Sequence, residues 1–243
     1  MTHLISPVVL VSNDENFLPY ALASSRGFFG RYVIYDVGST DRTRDIIQWF
    51  CDTTPGVSFF VRAMPMLPPS VQGAFRNSMI AESLSAYYFI LDGDELYTSD
   101  GYEAIIRGAE VMQQDVQKLY GIVRRVEVGG DLVSAYGLHS RIPHHRVYQR
   151  RAIWTGSHPG EAPYFRQEPR VEQWIEGSTC YHFHNAERSS RDAEVPKRLE
   201  RRARPTYRPG ESEPLDLLRV LPILGQQIEN FPLNSRLATL QSG

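Results

Sequence analysis

The chain predicts an α/β fold with a mostly parallel sheet flanked by helices. Three observations predict it. Over the first 95 residues, short apolar runs rich in β-branched residues alternate with segments that are apolar at helical spacing. The runs are apolar at successive positions, the pattern of strands buried on both faces. Three of the runs end in a polar cluster, and in parallel sheets ligands collect beyond the carboxyl ends of the strands.

Residues 4–12 contain Pro-Val-Val-Leu-Val and read as the first strand, ending at Ser12-Asn13-Asp14-Glu15. Residues 16–27 carry Phe17, Leu18, Ala21 and Leu22 at helical spacing, with Gly27 as the stop. Residues 31–36 form a second strand that runs into Asp36-Val37-Gly38-Ser39-Thr40-Asp41. Ser39 or Thr40 is the expected N-cap of the next helix, with Asp41 favourable in its first turn. Residues 57–62 are a third strand, and 71–85 a helix with Phe75, Met79 and Ile80 on one face. Residues 87–91, Tyr-Tyr-Phe-Ile-Leu, are a fourth strand that leads directly into Asp92-Gly93-Asp94-Glu95.

Beyond residue 96 the pattern loosens. A helix is expected over 100–118 and a hairpin over 119–136, turning at Gly129-Gly130-Asp131. Residues 144–185 have no clear period. A basic helix is expected over 187–204, broken at Pro205, and a short apolar helix over 214–227. The chain divides into a nucleotide-type half (1–100), a less regular acceptor-side half of the same domain (101–210), and a C-terminal helix and tail (211–243).

With 42% apolar and 22% charged residues over 243 positions, this is the composition of a packed globular protein. No apolar run reaches the roughly 18 residues that a bilayer span needs, and residues 1–7 lack the basic-then-apolar pattern of a secretory signal. The two cysteines, Cys51 and Cys180, make neither a disulfide framework nor a four-thiolate zinc site. A cytoplasmic setting is expected. The net charge of −2 hides an asymmetry: residues 1–120 hold 8 basic against 14 acidic side chains, and 121–243 hold 18 against 14. All the basic residues but Lys118 and Lys197 are arginine, whose fork suits two-point contact with carboxylate or phosphate.

Two motifs carry chemistry. Asp92-Gly93-Asp94 sets two carboxylates just after a buried strand, where a divalent cation would neutralise them. Hard oxygen ligands suit Mg²⁺ or Mn²⁺. In the Asp36 to Asp41 motif, Gly38 permits a tight turn and a helix N-terminus follows, a setting that accepts phosphate. An acidic turn and a capped strand-to-helix turn are the ordinary alternatives.

Together these residues resemble the family-2 glycosyltransferases of GT-A fold. The resemblance is clear over residues 6–100 and loose over 140–200. It rests on Ser12-Asn13-Asp14-Glu15, on Asp36-x-Gly38-Ser39-x-Asp41-x-Thr43, on Arg76-Asn77, and on the strand ending in Asp92-x-Asp94-Glu95. It implies a GT-A-type, Rossmann-like sheet and a nucleoside-diphosphate sugar donor, UDP first among nucleotides. Ser12, Asn13 and Glu15 would line the nucleotide pocket with Gly38, Ser39 and Asp41, and Asp36 would contact the base. Arg76 and Asn77 would lie near the nucleotide. Asp92 would face the ribose or a metal-bound water, and Asp94 would ligate Mn²⁺ or Mg²⁺. The family mechanism is a single inverting displacement that needs a carboxylate base.

For the base, Glu161 after Trp154-Thr-Gly-Ser-His158 is the first candidate and Glu95 the second, although Pro159 and Gly160 interrupt the family's His-Glu pair. His182 and His184 share a strand face. Either one completes the metal shell, His184 first, or both are structural; a redox iron site has no other support in the chain. The arginines from Arg188 to Arg204 form a solvated face, clamp the donor diphosphate, or attract an anionic acceptor, whether glycolipid, polysaccharide, protein or nucleic acid. A non-catalytic nucleotide-sugar or glycan-binding module and a sugar nucleotidyltransferase are the alternatives. The intact D-x-D weighs against the first and the scarcity of lysine against the second.

Overall fold

The computed structural model describes residues 3–66, 68–115, 117–139, 141–156, 162–164, 171–194, 198–200, 212–228 and 231. Four strands open the chain: β1 (Ile5–Val11), β2 (Arg31–Val37), β3 (Ser58–Met64) and β4 (Tyr87–Ile90). They lie parallel in the order β4-β1-β2-β3, with Val11 beside Asp36 and Val8 beside Ile90. Helices α1 (Leu18–Ser25), α2 (Thr43–Asp52), α3 (Gln72–Ser83) and α4 (Ser99–Gln114) complete this part.

The alternation of side chains explains the continuous apolar runs. Val9, Val11, Tyr32, Ile34, Tyr87 and Phe89 face one core, shared with Leu18 and Leu22 of α1, Phe50 of α2 and Ile105 of α4. Val8, Val33, Tyr35, Tyr88 and Ile90 face a second core, shared with Met79 and Ile80 of α3. Both faces of β1, β2 and β4 are therefore dry, whereas β3 is a partly exposed edge strand, and the polar termini gather at one edge.

The rest of the sheet departs from the expected parallel pattern. The remaining strands are β5 (Glu95–Leu96), β6 (Lys118–Val128), β7 (Ser134–Tyr136), β8 (Pro143–Gln149), β9 (Ile153–Thr155), β10 (Ala162–Tyr164), β11 (Val171–His182) and β12 (Glu213–Pro214). Strand β8 continues the sheet antiparallel to β4, β6 pairs antiparallel with β8, and β7 and β12 follow antiparallel. Strand β11 lies parallel to β6 and antiparallel to β5, so the sheet is mixed. Strands β9 and β10 form a separate pair.

Several expected elements are corrected. The α4 helix ends at Gln114, and Lys118 already belongs to β6. The aperiodic stretch after residue 143 holds β8, β9, β10 and β11, and in β8 and β11 the largely covered side chains of His144, Arg146 and His182 interrupt the apolar alternation. Glu187 and Arg188 are not helical; only a 3₁₀ turn at Asp192–Glu194 and residues 198–200 are helical, among the described residues of that stretch. The helix expected over 214–227 is reduced to α5 (Leu217–Val220) and a 3₁₀ turn at Pro222–Gly225, because Pro222 breaks it. Neither Ser39 nor Thr40 caps α2: Arg42 holds the N-cap position, and the Ser39 hydroxyl serves the β1 turn instead. Among the described residues no helix is long and apolar enough to cross a membrane.

Gly38 closes β2 in a left-handed conformation (φ +69°), and a Cβ there would sit 2.5 Å from the Met66 backbone nitrogen. Gly27 is also left-handed (φ +87°) but faces open space. Gly38→Ala adds a backbone collision to the strain, and should cost about 2 kcal/mol or more against about 1 kcal/mol for Gly27→Ala. Thermal unfolding checks this: the Gly38 variant should melt lower, and equal melting temperatures would refute the packing argument.

Candidate active site

The site forms where β1, β2 and β4 end. Asn13 stands in a left-handed conformation (φ 54°), which asparagine tolerates, and joins the first two turns. Its Oδ1 accepts from the backbone N–H of Thr40 (2.8 Å) and Asp41 (3.3 Å), and its own N–H donates to Ser39 Oγ (2.9 Å). Asp14 N–H donates to Thr43 Oγ1 at 2.8 Å. Gly93 lies beneath Asp14: a Cβ on it would come within 2.9 Å of the Asp14 Cβ. The glycine between the two aspartates is thus required for the first and third turns to touch.

Each strand-end carboxylate has a cation. Asp36 is buried; its Oδ1 accepts from Ser39 N–H (3.2 Å) and its Oδ2 from Arg44 Nε (2.6 Å). Asp92 accepts from Arg76 (3.2 Å) and from Arg146 of β8 (3.1 Å). Asp14 Oδ1 lies 2.5 Å from Arg188 Nη2 and 3.2 Å from Arg198 Nη2. Arg198 also donates to the carbonyls of Ser12 and Asn13 and to Asp192. Glu15 accepts from the N–H groups of Arg42 (3.2 Å) and Ser190 (2.8 Å), while Ser189 Oγ donates to Asp41 (2.6 Å). The segment after β11 is therefore tied to the β1 and β2 turns.

The aspartates of the D-x-D differ. The Asp92 side chain is 25% exposed and opens to the crevice, whereas that of Asp94 is 2% exposed. Asp94 Oδ2 lies 2.7 Å from Arg188 Nη1 and 3.5 Å from His182 Nε2, yet it accepts no well-directed hydrogen bond. Burial acts to raise the Asp94 pKa, but Arg188 and His182 outweigh it and hold the carboxyl well below its usual range. His182 Nδ1 donates to Glu127 Oε2 at 2.9 Å. Burial opposes its charge, but Asp94 and Glu127 prevail and raise its pKa to about 10.

Asp94, His182 and His184 each bring one ligand atom to within 4.8 Å of the others. This set fits a divalent cation on three grounds. Its donors are oxygen and imidazole nitrogen, Asp94 Oδ2 lacks a directed partner, and Glu127 behind His182 is the carboxylate that orients a ligating histidine. Asp92, also expected as a ligand, lies outside this group and is engaged by two arginines.

Glu95 is fully buried below the site, in contact with Arg146 and 2.8 Å from His144 Nε2. Asn77 uses both ends of its amide on the Trp154 backbone, which seats β9 against α3. Glu161 and His158 lie outside the described residues. Asn13 Nδ2 and Arg76 Nε and Nη1 are buried donors with no hydrogen-bond partner.

Glu127 and Arg146 were not among the expected site residues, and Asp14, Arg188 and Arg198 were expected only as members of a turn and of a basic run. Asp14 stands in the turn already singled out, one place from each chosen neighbour. Arg188 and Arg198 were submerged in the basic run, where nothing distinguishes an interior arginine from a solvated one.

No protein-family model matches the chain, and no curated protein matches it. Solved structures resemble it loosely. S. aureus TarS 1–349 in complex with UDP-GlcNAc is 17% identical (TM-score 0.45), over 62% of this chain and 46% of that one. A mycobacterial protein is 12% identical (TM-score 0.49), over 74% and 67%. Glucosyl-3-phosphoglycerate synthase from Mycobacterium tuberculosis, in complex with Mn²⁺, UDP-glucose and phosphoglyceric acid, is 14% identical (TM-score 0.41), over 61% and 57%. The chain spans 28–47% of the TarS chains that it matches.

Proposed function

We propose that the chain is a metal-assisted glycosyltransferase of the family-2, GT-A type. It would move a sugar, with inversion, from a nucleoside-diphosphate sugar to an acceptor hydroxyl. UDP is the first choice of nucleotide. Residues 1–100 would bind the donor and 101–210 would shape the acceptor side. The observation that carries the reading is the meeting of the Asp94, His182 and His184 ligand atoms beside the β1 and β2 turns. Unpartnered donors stand on Asn13 of the β1 turn and on Arg76 beside Asp92, as a polar ligand requires.

Asp94, His182 and His184 would hold the cation, with Glu127 fixing the His182 ring. The mixed oxygen and nitrogen set favours Mn²⁺ over Mg²⁺. When bound, the cation supplies Lewis-acid stabilisation to the departing diphosphate. The chain's own residues do the rest. Asp36 would accept from the base, with half-exposed Arg44 yielding its contact. Arg76 and Asn13 would donate to the nucleotide, and Asp92 would face the ribose. Glu161 would take the acceptor's proton, and buried Glu95 would hold Arg146 and His144 in place. The same two-histidine, one-carboxylate set also suits a redox iron centre; the nucleotide-type turns around it favour the transferase.

Titration of UDP by calorimetry, with and without Mn²⁺, tests the metal. Wild type should bind more tightly with Mn²⁺, and Asp94→Asn should lose that gain. Equal affinity in all four titrations would sink the assignment, and an iron centre would leave UDP unbound.

A second measurement concerns the base. Glu161→Gln should keep donor affinity while transfer falls roughly 10²–10⁴-fold. Glu95→Gln should disturb donor binding as well, because it removes the charge opposite Arg146. Normal transfer by the Glu161 variant would move the role elsewhere.

A further inference from the structure

Arg188 does in this structure what a divalent cation does: it bridges two buried carboxylates. Nη1 lies 2.7 Å from Asp94 Oδ2, while Nε (2.7 Å) and Nη2 (2.5 Å) grip Asp14 Oδ1. The Asp94 carboxylate it pairs with belongs to the group formed with His182 and His184. A guanidinium this close to a ligand carboxylate and a cation on that carboxylate repel one another, so Arg188 and the cation compete for Asp94.

Arg188 has little freedom to withdraw. Its carbonyl accepts from Asn16 N–H at 3.0 Å and its N–H donates to Asp192 at 3.0 Å, which pins the backbone at both ends of the residue. The neighbouring Ser189 and Ser190 are tied to Asp41 and Glu15. A guanidinium that gives up Asp94 therefore stays within the crevice. Its Nε and Nη2 contacts to Asp14 lie on the other edge of the fork and provide a pivot. Release of Nη1 then leaves a forked cation beside the group that holds the metal, where a donor diphosphate must lie.

We propose that Arg188 is an exchangeable counter-ion. It neutralises Asp94, yields it when a divalent cation is ligated there, and turns on Asp14 to bind the donor diphosphate. This rests on the transferase reading above and adds a coupling to it: Arg188 opposes the metal alone and favours the metal together with the nucleotide.

The two effects have opposite signs, which makes them testable. Mn²⁺ binding is followed by electron paramagnetic resonance, and UDP binding at saturating Mn²⁺ by calorimetry. Wild type, Arg188→Ala, Arg188→Lys and Asp94→Asn are compared after circular dichroism has checked their folding. A charge at this distance shifts an ionic equilibrium by about one to three decades, so Arg188→Ala should bind Mn²⁺ at least about tenfold more tightly without nucleotide. It should bind UDP about ten- to hundredfold more weakly, for the loss of a charge-assisted contact. Arg188→Lys, which keeps the charge without the fork, should stay near wild type for Mn²⁺ and fall between the two for UDP; this variant keeps the test usable if the alanine protein folds poorly. Mn²⁺ affinity that depends on Asp94 but is unchanged or weakened in Arg188→Ala would overturn the inference and leave the metal reading standing, as would unchanged UDP affinity. No Mn²⁺ binding by any of the proteins would overturn both.

Discussion

The structure depends on the pairing of buried carboxylates at the sheet's carboxyl edge with arginines from elsewhere in the chain. Asp14, Asp36, Asp94 and Glu95 are all buried, and an ionised carboxylate out of water costs several kcal/mol unless a cation is paired with it. A lysine ammonium has rotatable donors on a single point charge and no fixed fork to hold two acids in place. The guanidinium fork serves two: Arg188 joins Asp14 to Asp94, and Arg146 joins Asp92 to Glu95. Breaking one such contact leaves a charge buried and uncompensated, so these turns hold their shape as a unit.

This pairing also explains the charge asymmetry of the sequence. The acids come from residues 14–95, while Arg146, Arg188 and Arg198 come from the second half. The surplus of one half finds part of its counter-charge in the other, and the less regular half is fastened over the strand ends by ion pairs. The arginine-rich run is in part internal, which is why Arg198 ends on two backbone carbonyls and two aspartates rather than in solvent.

What was legible in the sequence follows from the same physics. Strands β1, β2 and β4 are dry on both faces, so their apolar runs announce them, and the polar turns after them stand out by contrast. Strands β8 and β11 were hidden because they build the site. His144, Arg146, Cys180 and His182 occupy inward positions where an apolar residue would have completed the alternation. The D-x-D was visible as an acid pair after a strand, but the distinction between an open Asp92 and a buried Asp94 arises from tertiary packing, with Arg188 and His182 on Asp94. The helix expected through Arg188 failed for a related reason. That residue's backbone bonds are taken by Asn16 and Asp192, an arrangement no local period reveals.

The central claim is that this edge of carboxylates and imidazoles turns over a nucleotide-sugar. The most direct test is to follow UDP-sugars with the protein and Mn²⁺ by nuclear magnetic resonance, reading UDP release and the anomeric configuration of the transferred or hydrolysed sugar. The account predicts Mn²⁺-dependent release of UDP, an inverted anomeric centre, and loss of both in Asp94→Asn. Tight, Mn²⁺-dependent UDP binding without release from any UDP-, GDP- or CMP-sugar would contradict it and leave a binding module in its place.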